Sequence, residues 1–134
     1  MIEALIVAYH AEREQATFYR ALSSVAEDVA NEVDIEALNG LLADEQHHLS
    51  RLKNRLVELG VELEGKDLRE GREALATIYP DWRGPARIRE SAEVERYEAM
   101  LALDLDPETE ALIQSILVTE RLHEANLGGK YMDA

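Results

Sequence analysis

The sequence contains no cysteine. Disulfide bridges, thiolate-bound zinc and iron–sulfur clusters are thereby excluded from the chain. Proline is scarce, at three residues, tryptophan occurs once, and β-branched runs are few. Little therefore interrupts helix and little favours strand. No run of about 18 apolar residues occurs, so a membrane span is not expected. The opening residues, MIEALIVAYHAERE, have no basic stretch ahead of an apolar one and run directly into a helical pattern. A signal peptide is not expected, and the cytoplasm is the expected location. Positive charge is also short, with 14 Lys and Arg against 28 Asp and Glu and a formal net charge of −14. Nucleic acid is not an expected partner, because it needs clustered Lys and Arg to neutralise phosphates. An acidic surface attracts cations, including metal ions, although most of this charge reads as an ordinary solvated surface.

What is present is helix-forming. Ala, Glu, Leu and Arg dominate a chain of 134 residues, a length that suits one domain over residues 1–134. Apolar residues recur at helical spacing in four stretches, which predicts an all-α four-helix bundle. The first helix spans about residues 2–27, with Leu5, Ala8, Tyr9, Glu12, Ala16, Tyr19, Leu22 and Ala26 on one stripe. The second spans about 34–59, with Asp34 as the expected N-cap and Gly60 closing it. Its stripe is Leu38, Leu41, Leu42, Glu45, His48, Leu49, Leu52 and Leu56. The third starts near Gly84-Pro85 and carries Ala86, Glu90, Glu93, Val94, Tyr97, Met100 and Leu101. The fourth opens at Asp106-Pro107-Glu108 and is expected to stop at Gly128-Gly129, with Leu112, Ile113, Ile116, Leu117, Glu120, His123 and Leu127 inward. Residues 61–83 form one long crossover between helices two and three. Within it, residues 67–79 could make a short helix that touches the bundle through Leu68, Leu75 and Ile78. Short turns elsewhere pair helix one with two and three with four.

The two halves echo each other. Tyr19 follows Glu12 by seven positions, and Tyr97 follows Glu90 by seven. Each half then reaches a Glu-x-x-His, Glu45-Gln-His-His48 and Glu120-Arg-Leu-His123. Residues three apart share a helix face, so each such pair can reach one ion. Each Glu interrupts a stripe that is otherwise apolar. A buried unpaired carboxylate is costly, and it must stay protonated or find a cation. Four Glu and two neutral His bring four negative charges, which two divalent cations balance. Oxygen and imidazole donors suit Fe, Mn or Zn.

Other polar groups fall elsewhere by phase. Asp44 and His47 lie beside Gly40, Arg51 and Asn54 on a polar face, and His10 and Glu14 turn away from the Glu12 stripe. Glu95 and Glu98 read as solvated. Gln15, one turn from Glu12, reads first as a helix-flank residue and second as a hydrogen-bond partner behind a ligand. Tyr19 and Tyr97 are either core aromatics or hydrogen-bond partners of a ligand Glu.

These residues resemble the rubrerythrin-like branch of the ferritin-like superfamily. Glu12-Arg-Glu-Gln-Ala-Thr-Phe-Tyr19 is similar to that family's first ligand helix, and Leu42-Ala-Asp-Glu45-Gln-His-His48-Leu to its second. Glu90-Ser-Ala-Glu93 resembles the third, and Glu120-Arg-Leu-His123 the fourth. Di-iron and di-manganese carboxylate bundles take one Glu from each of two helices and Glu-x-x-His from each of the others. The resemblance implies a ferritin-like bundle holding two iron ions. Glu45 and Glu120 would bridge, Glu12 and Glu90 would be terminal, and His48 and His123 would cap one ion each. It implies that Glu93 is an extra ligand and that Glu93, Tyr19 and Tyr97 take part in catalysis. Glu93 read by itself is a partly exposed glutamate at the bundle edge. The implied activity is reduction of hydrogen peroxide, with a separate electron-donor protein, since the chain lacks the family's cysteine-bound rubredoxin domain. A homo-oligomer is the expected assembly. The rival expectations are a ferroxidase or iron-storage protein using dioxygen, a manganese catalase, and a metal-free helical interaction module.

Overall fold

Leu, Ala, Glu and Gln set three to four positions apart make α1, Ile2–Asp28, a continuous helix with one apolar face. In the computed structural model, which describes residues 1–63 and 72–132, it is followed by α2, Glu32–Glu58, and α3, Arg72–Ile78. A 3₁₀ turn at Tyr79–Asp81 leads into α4, Arg83–Leu101, and then α5, Pro107–Met132. The four long helices form two hairpins, α1 with α2 and α4 with α5, joined by the longer connection and packed as a bundle. No helix among the described residues is long and apolar enough to cross a membrane.

The first turn is tighter than the sequence suggests. Ala30 takes φ 54°, its N–H donates to Glu27 O at 3.1 Å, and the Asn31 N–H donates to Ala26 O at 3.1 Å. This closes α1 with a left-handed residue that is not glycine, at a cost of about 1 kcal/mol or more. Asn31 also opens α2, since its Oδ1 accepts the Asp34 N–H at 3.1 Å. Asn31, not Asp34, is therefore the N-cap. The Asp34 side chain turns instead to the connector, accepting from the Tyr79 hydroxyl at 2.8 Å and from Arg83 Nη1 at 3.1 Å. These bonds hold Asp34 below its ordinary carboxylate value against the opposing effect of burial. Gly60 closes α2 as expected, with φ 83° and the Val61 N–H donating to Leu56 O at 2.9 Å.

Asp106 caps α5, its Oδ1 accepting the Thr109 N–H at 2.8 Å, with Pro107 in the first turn. Its Oδ2 pairs with Arg55 of α2 at 2.7 Å. The expected stop at Gly128-Gly129 does not occur, and α5 runs on to Met132. Glycine costs a helix about 1 kcal/mol, too little to end one that tertiary packing supports. At Gly128 the missing side chain makes room, because a Cβ there would lie 2.3 Å from Arg87 Nε. In the connector, Leu75 is buried and Ile78 packs on the core as expected, whereas Leu68 lies outside the described residues. Tyr79 and Trp82 are the largest buried side chains among the connector's described residues.

The core is two apolar clusters with a polar layer between them. One joins Leu5 and Tyr9 of α1 to Leu52 and Leu56 of α2, Tyr97 and Met100 of α4, and Ile113 and Ile116 of α5. The other joins Phe18, Tyr19 and Leu22 to Leu38, Trp82, Ala86 and Leu127. Thus α2 ends at the first cluster and α4 begins at the second, so the connection crosses the length of the bundle. Each fully buried Leu, Ile or Phe contributes about 1.5–3 kcal/mol. The two clusters together offset the cost of the layer they enclose.

Candidate metal centre

That layer comes from the middle of each long helix. Glu12, Glu45, Glu90 and Glu120 are each 0% exposed, and His48 and His123 are buried beside them. Side-chain oxygens and nitrogens of Glu12, Glu45, His48 and Glu120 come within 4.8 Å of one another, and so do those of Glu45, Glu90, Glu120 and His123. These two overlapping groups could each hold a metal ion, and Glu45 and Glu120 belong to both. The imidazoles face them with Nδ1. His48 Nδ1 is 2.8 Å from Glu120 Oε1 and 3.8 Å from Glu12 Oε1, while His123 Nδ1 is 3.4 Å from Glu45 Oε1 and 3.5 Å from Glu90 Oε1.

Hydrogen bonds divide the four carboxylates into two kinds. The Tyr97 hydroxyl donates to Glu12 Oε1 at 2.5 Å, and the Tyr19 hydroxyl donates to Glu90 Oε1 at 2.6 Å. Gln15 Nε2 donates to the same Glu90 oxygen at 3.2 Å. Among the described residues, the second oxygen of Glu12, the second oxygen of Glu90, and both oxygens of Glu45 and Glu120 are buried and receive no hydrogen bond. Glu12 and Glu90 therefore each have one tied and one free oxygen, while Glu45 and Glu120 have both free.

The electrostatics follow from burial. Burial pushes Glu45 well above the usual carboxylate range, and the charge of Glu12 pushes further. Burial, then Glu90 and Glu12, push Glu120 up to about 12. Burial also raises Glu12. His48 is lowered to about 4 by burial and by the proximity of His123. Burial would lower His123 as well, but Glu90 and Asp44 hold it above its ordinary value. Glu90 lies below its ordinary value, because contacts with His123 and Glu120 outweigh burial. Two carboxylates about 4 Å apart repel by about 4 kcal/mol at an effective dielectric of 20. The cluster is therefore fully ionised only when cations share it.

No protein-family profile, no curated protein and no solved structure matches this chain. What the site can do is carried by its own residues: oxygen and nitrogen donors of six side chains that converge between two apolar clusters. Such a donor set fits Fe, Mn or Zn.

The six stripe residues come together as the helical phase predicts. Tyr19 and Tyr97 bond to carboxylates, each on the opposite hairpin. Glu93 is buried rather than at an edge, but it lies outside both donor groups, its Oε1 held 2.6 Å from Arg96 Nη1. Gln15 is not a flank residue, being buried against Glu90 and Tyr19. A signal for it existed, since Gln15 follows Glu12 by three positions as Glu93 follows Glu90. Asp44 is exposed as expected, yet its Oδ2 lies 2.8 Å from His123 Nε2. The pair sits on a groove of about 550 Å3 that is also lined by Trp82, Arg83 and Leu127. Nothing in the sequence pattern joins Asp44 to a histidine on another helix. His10, Glu14, His47, Glu95 and Glu98 are exposed as their phase predicts.

Proposed function

We propose that this chain is a ferritin-like di-iron carboxylate oxidoreductase of rubrerythrin-like type, which reduces hydrogen peroxide with electrons from a separate donor protein. The sharing of Glu45 and Glu120 between two buried donor groups carries this reading. Their four free oxygens suit two bridging ligands, and the single free oxygens of Glu12 and Glu90 suit terminal ones. His48 and His123 supply one nitrogen to each position. Four carboxylates balance two divalent ions, so the filled site is neutral with every carboxyl ionised, whereas the empty one must hold protons. A metal-free interaction module would have to keep Glu12, Glu45 and Glu120 buried and protonated above their ordinary range, a cost that cations remove.

Iron held by Glu12, Glu45, His48, Glu90, Glu120 and His123 would supply the two electrons that, with two protons, reduce hydrogen peroxide to two molecules of water. The protein's share is positional. Tyr19, Tyr97 and Gln15 fix the terminal carboxylates, and the apolar clusters exclude water. Glu93 stands one helical turn from Glu90 as a further carboxylate for the site. Mn or Zn would fit the same donors, but Zn would bring no redox chemistry. The proposal places the protein in the cytoplasm as a homo-oligomer.

The test is metal content by elemental analysis, with circular dichroism to follow the helices. About two irons per chain are expected in wild type. Glu45→Ala or Glu120→Ala should lose both, whereas Glu12→Ala or Glu90→Ala should lose one. Unchanged content in both Glu45→Ala and Glu120→Ala overturns the ligand assignment. For the reaction, the Fe(II)-loaded protein should consume peroxide, and Glu93→Gln should slow that more than it slows oxidation by dioxygen. Equal slowing of the two favours the ferroxidase reading.

A further inference from the structure

We propose that Arg96 is a positioning residue, a latch that keeps Glu93 out of the donor group around Glu12 and His48 until the ions draw it in. The inference rests on the di-metal reading and concerns what governs Glu93. The Glu93 carboxylate is 5% exposed, with Oε1 2.6 Å from Arg96 Nη1. Its other oxygen is buried and receives no hydrogen bond. So Glu93 has one oxygen held and one free, as Glu12 and Glu90 do, but its holder is a partly exposed arginine and not a buried tyrosine.

The internal repeat shows why a cation is needed. Gln15 occupies in the first half the place that Glu93 occupies in the second, and its amide donates to Glu90. A carboxylate cannot donate in that way, and beside Glu12 it adds a like charge. Arg96 cancels that charge. Six positions after Glu12, the counterpart of Arg96 is Phe18. The extra carboxylate and its arginine therefore occur together in one half only, which makes them one unit.

The latch can also open. The Arg96 side chain is 31% exposed and lines a groove of about 320 Å3 with Glu3, Ala4, Val7, Ala99, Met100 and Leu103. Its guanidinium has apolar walls for its stem and solvent for its charge. Ions in the Glu12 position attract Glu93 and repel Arg96, so filling the site favours exchange of the guanidinium for a metal–oxygen contact.

Co(II) serves as the probe, because its visible absorption reports coordination number without turnover. Wild type, Arg96→Gln, Arg96→Lys, Glu93→Gln and the double variant Arg96→Gln/Glu93→Gln are titrated with Co(II) against a competing chelator. Arg96→Gln should bind Co(II) about tenfold tighter or more, the range that residues behind metal ligands command. Its absorption should weaken as coordination number rises. Arg96→Lys should keep the wild-type spectrum, and the double variant should match Glu93→Gln. Identical affinity and spectrum in wild type and Arg96→Gln overturn the latch while leaving the metal site standing. A wild-type chain that takes up no Co(II) removes the metal reading and the latch with it. An Arg96→Gln chain that is helical only with Co(II) supports the latch, because the ion then replaces the guanidinium as the partner of Glu93. One that stays unfolded with Co(II) overturns it.

Discussion

The Tyr19 hydroxyl donates to Glu90 across the bundle at 2.6 Å, and Tyr97 returns the bond to Glu12 at 2.5 Å. Each tyrosine thus steadies a carboxylate of the other hairpin. The two exchanges are not equal, because Glu90 Oε1 also receives Gln15, whereas the second oxygen of Glu12 receives no hydrogen bond among the described residues. Tyr97→Phe should therefore cost the metal-free protein about 1–3 kcal/mol, the worth of a buried hydrogen bond to a carboxyl group. Tyr19→Phe should cost at least as much, because it removes both the bond to Glu90 and the bond that the Tyr19 hydroxyl accepts from Gln15 Nε2. Urea unfolding of chelator-treated protein measures both, and a loss well under about 1 kcal/mol in either variant would contradict the assignment.

Asp44 reaches His123 from outside the bundle, with 53% of its side chain exposed. The contact favours the tautomer that carries its proton on Nε2, which leaves Nδ1 to face the carboxylates. Asp44→Ala should weaken one of the two metal-binding steps about 10- to 100-fold and leave the fold intact. His48 has no such carboxylate among the described contacts and acts as the internal control. Competition titration resolves the two steps, and equal weakening of both would speak against a specific role for Asp44.

Removing metal should reverse the usual dependence of stability on pH. Glu45, Glu120 and Glu12 hold protons in the folded chain that an unfolded chain gives up above about 4.5. Glu93 does the same until about 7. The folded state then binds more protons than the unfolded one, so stability falls as pH rises from about 4.5 to neutrality. His48 opposes this between about 4 and 6.5, because its folded form sheds a proton earlier. One histidine against several carboxylates leaves the fall dominant. Metal binding displaces those protons and strengthens as pH rises. The gap in Tm between metal-loaded and metal-free protein should widen from acid to neutral pH, and parallel curves would count against the buried carboxylate cluster.

Much of the fold was legible because helical phase is local. Each residue turns the side chain by about 100°, so Glu12, Glu45, Glu90 and Glu120 had to share faces with Leu, Ile and Ala. The same phase put His48 and His123 inward and His47 and Glu95 outward. Asp106 was legible as a cap because its bond to Thr109 lies within one turn. The start of α2 was less so, since two acceptors, Asn31 and Asp34, stood within a turn of each other and Tyr79 and Arg83 drew the second away. Gly128 looked like a stop, and only the nearness of Arg87 gives it another use.

The sequence by itself determined that Glu12, Glu45, His48, Glu90, Glu120 and His123 lie on apolar helix faces, because covalent helix geometry sets the phase of each side chain. Tertiary structure alone decided who meets whom: Tyr19 with Glu90, Asp44 with His123, Gln15 with Glu90, and Glu45 and Glu120 between the two donor groups. Those meetings depend on the offset and rotation of one helix against another. These are set by the summed packing of two apolar clusters, and no local pattern encodes them.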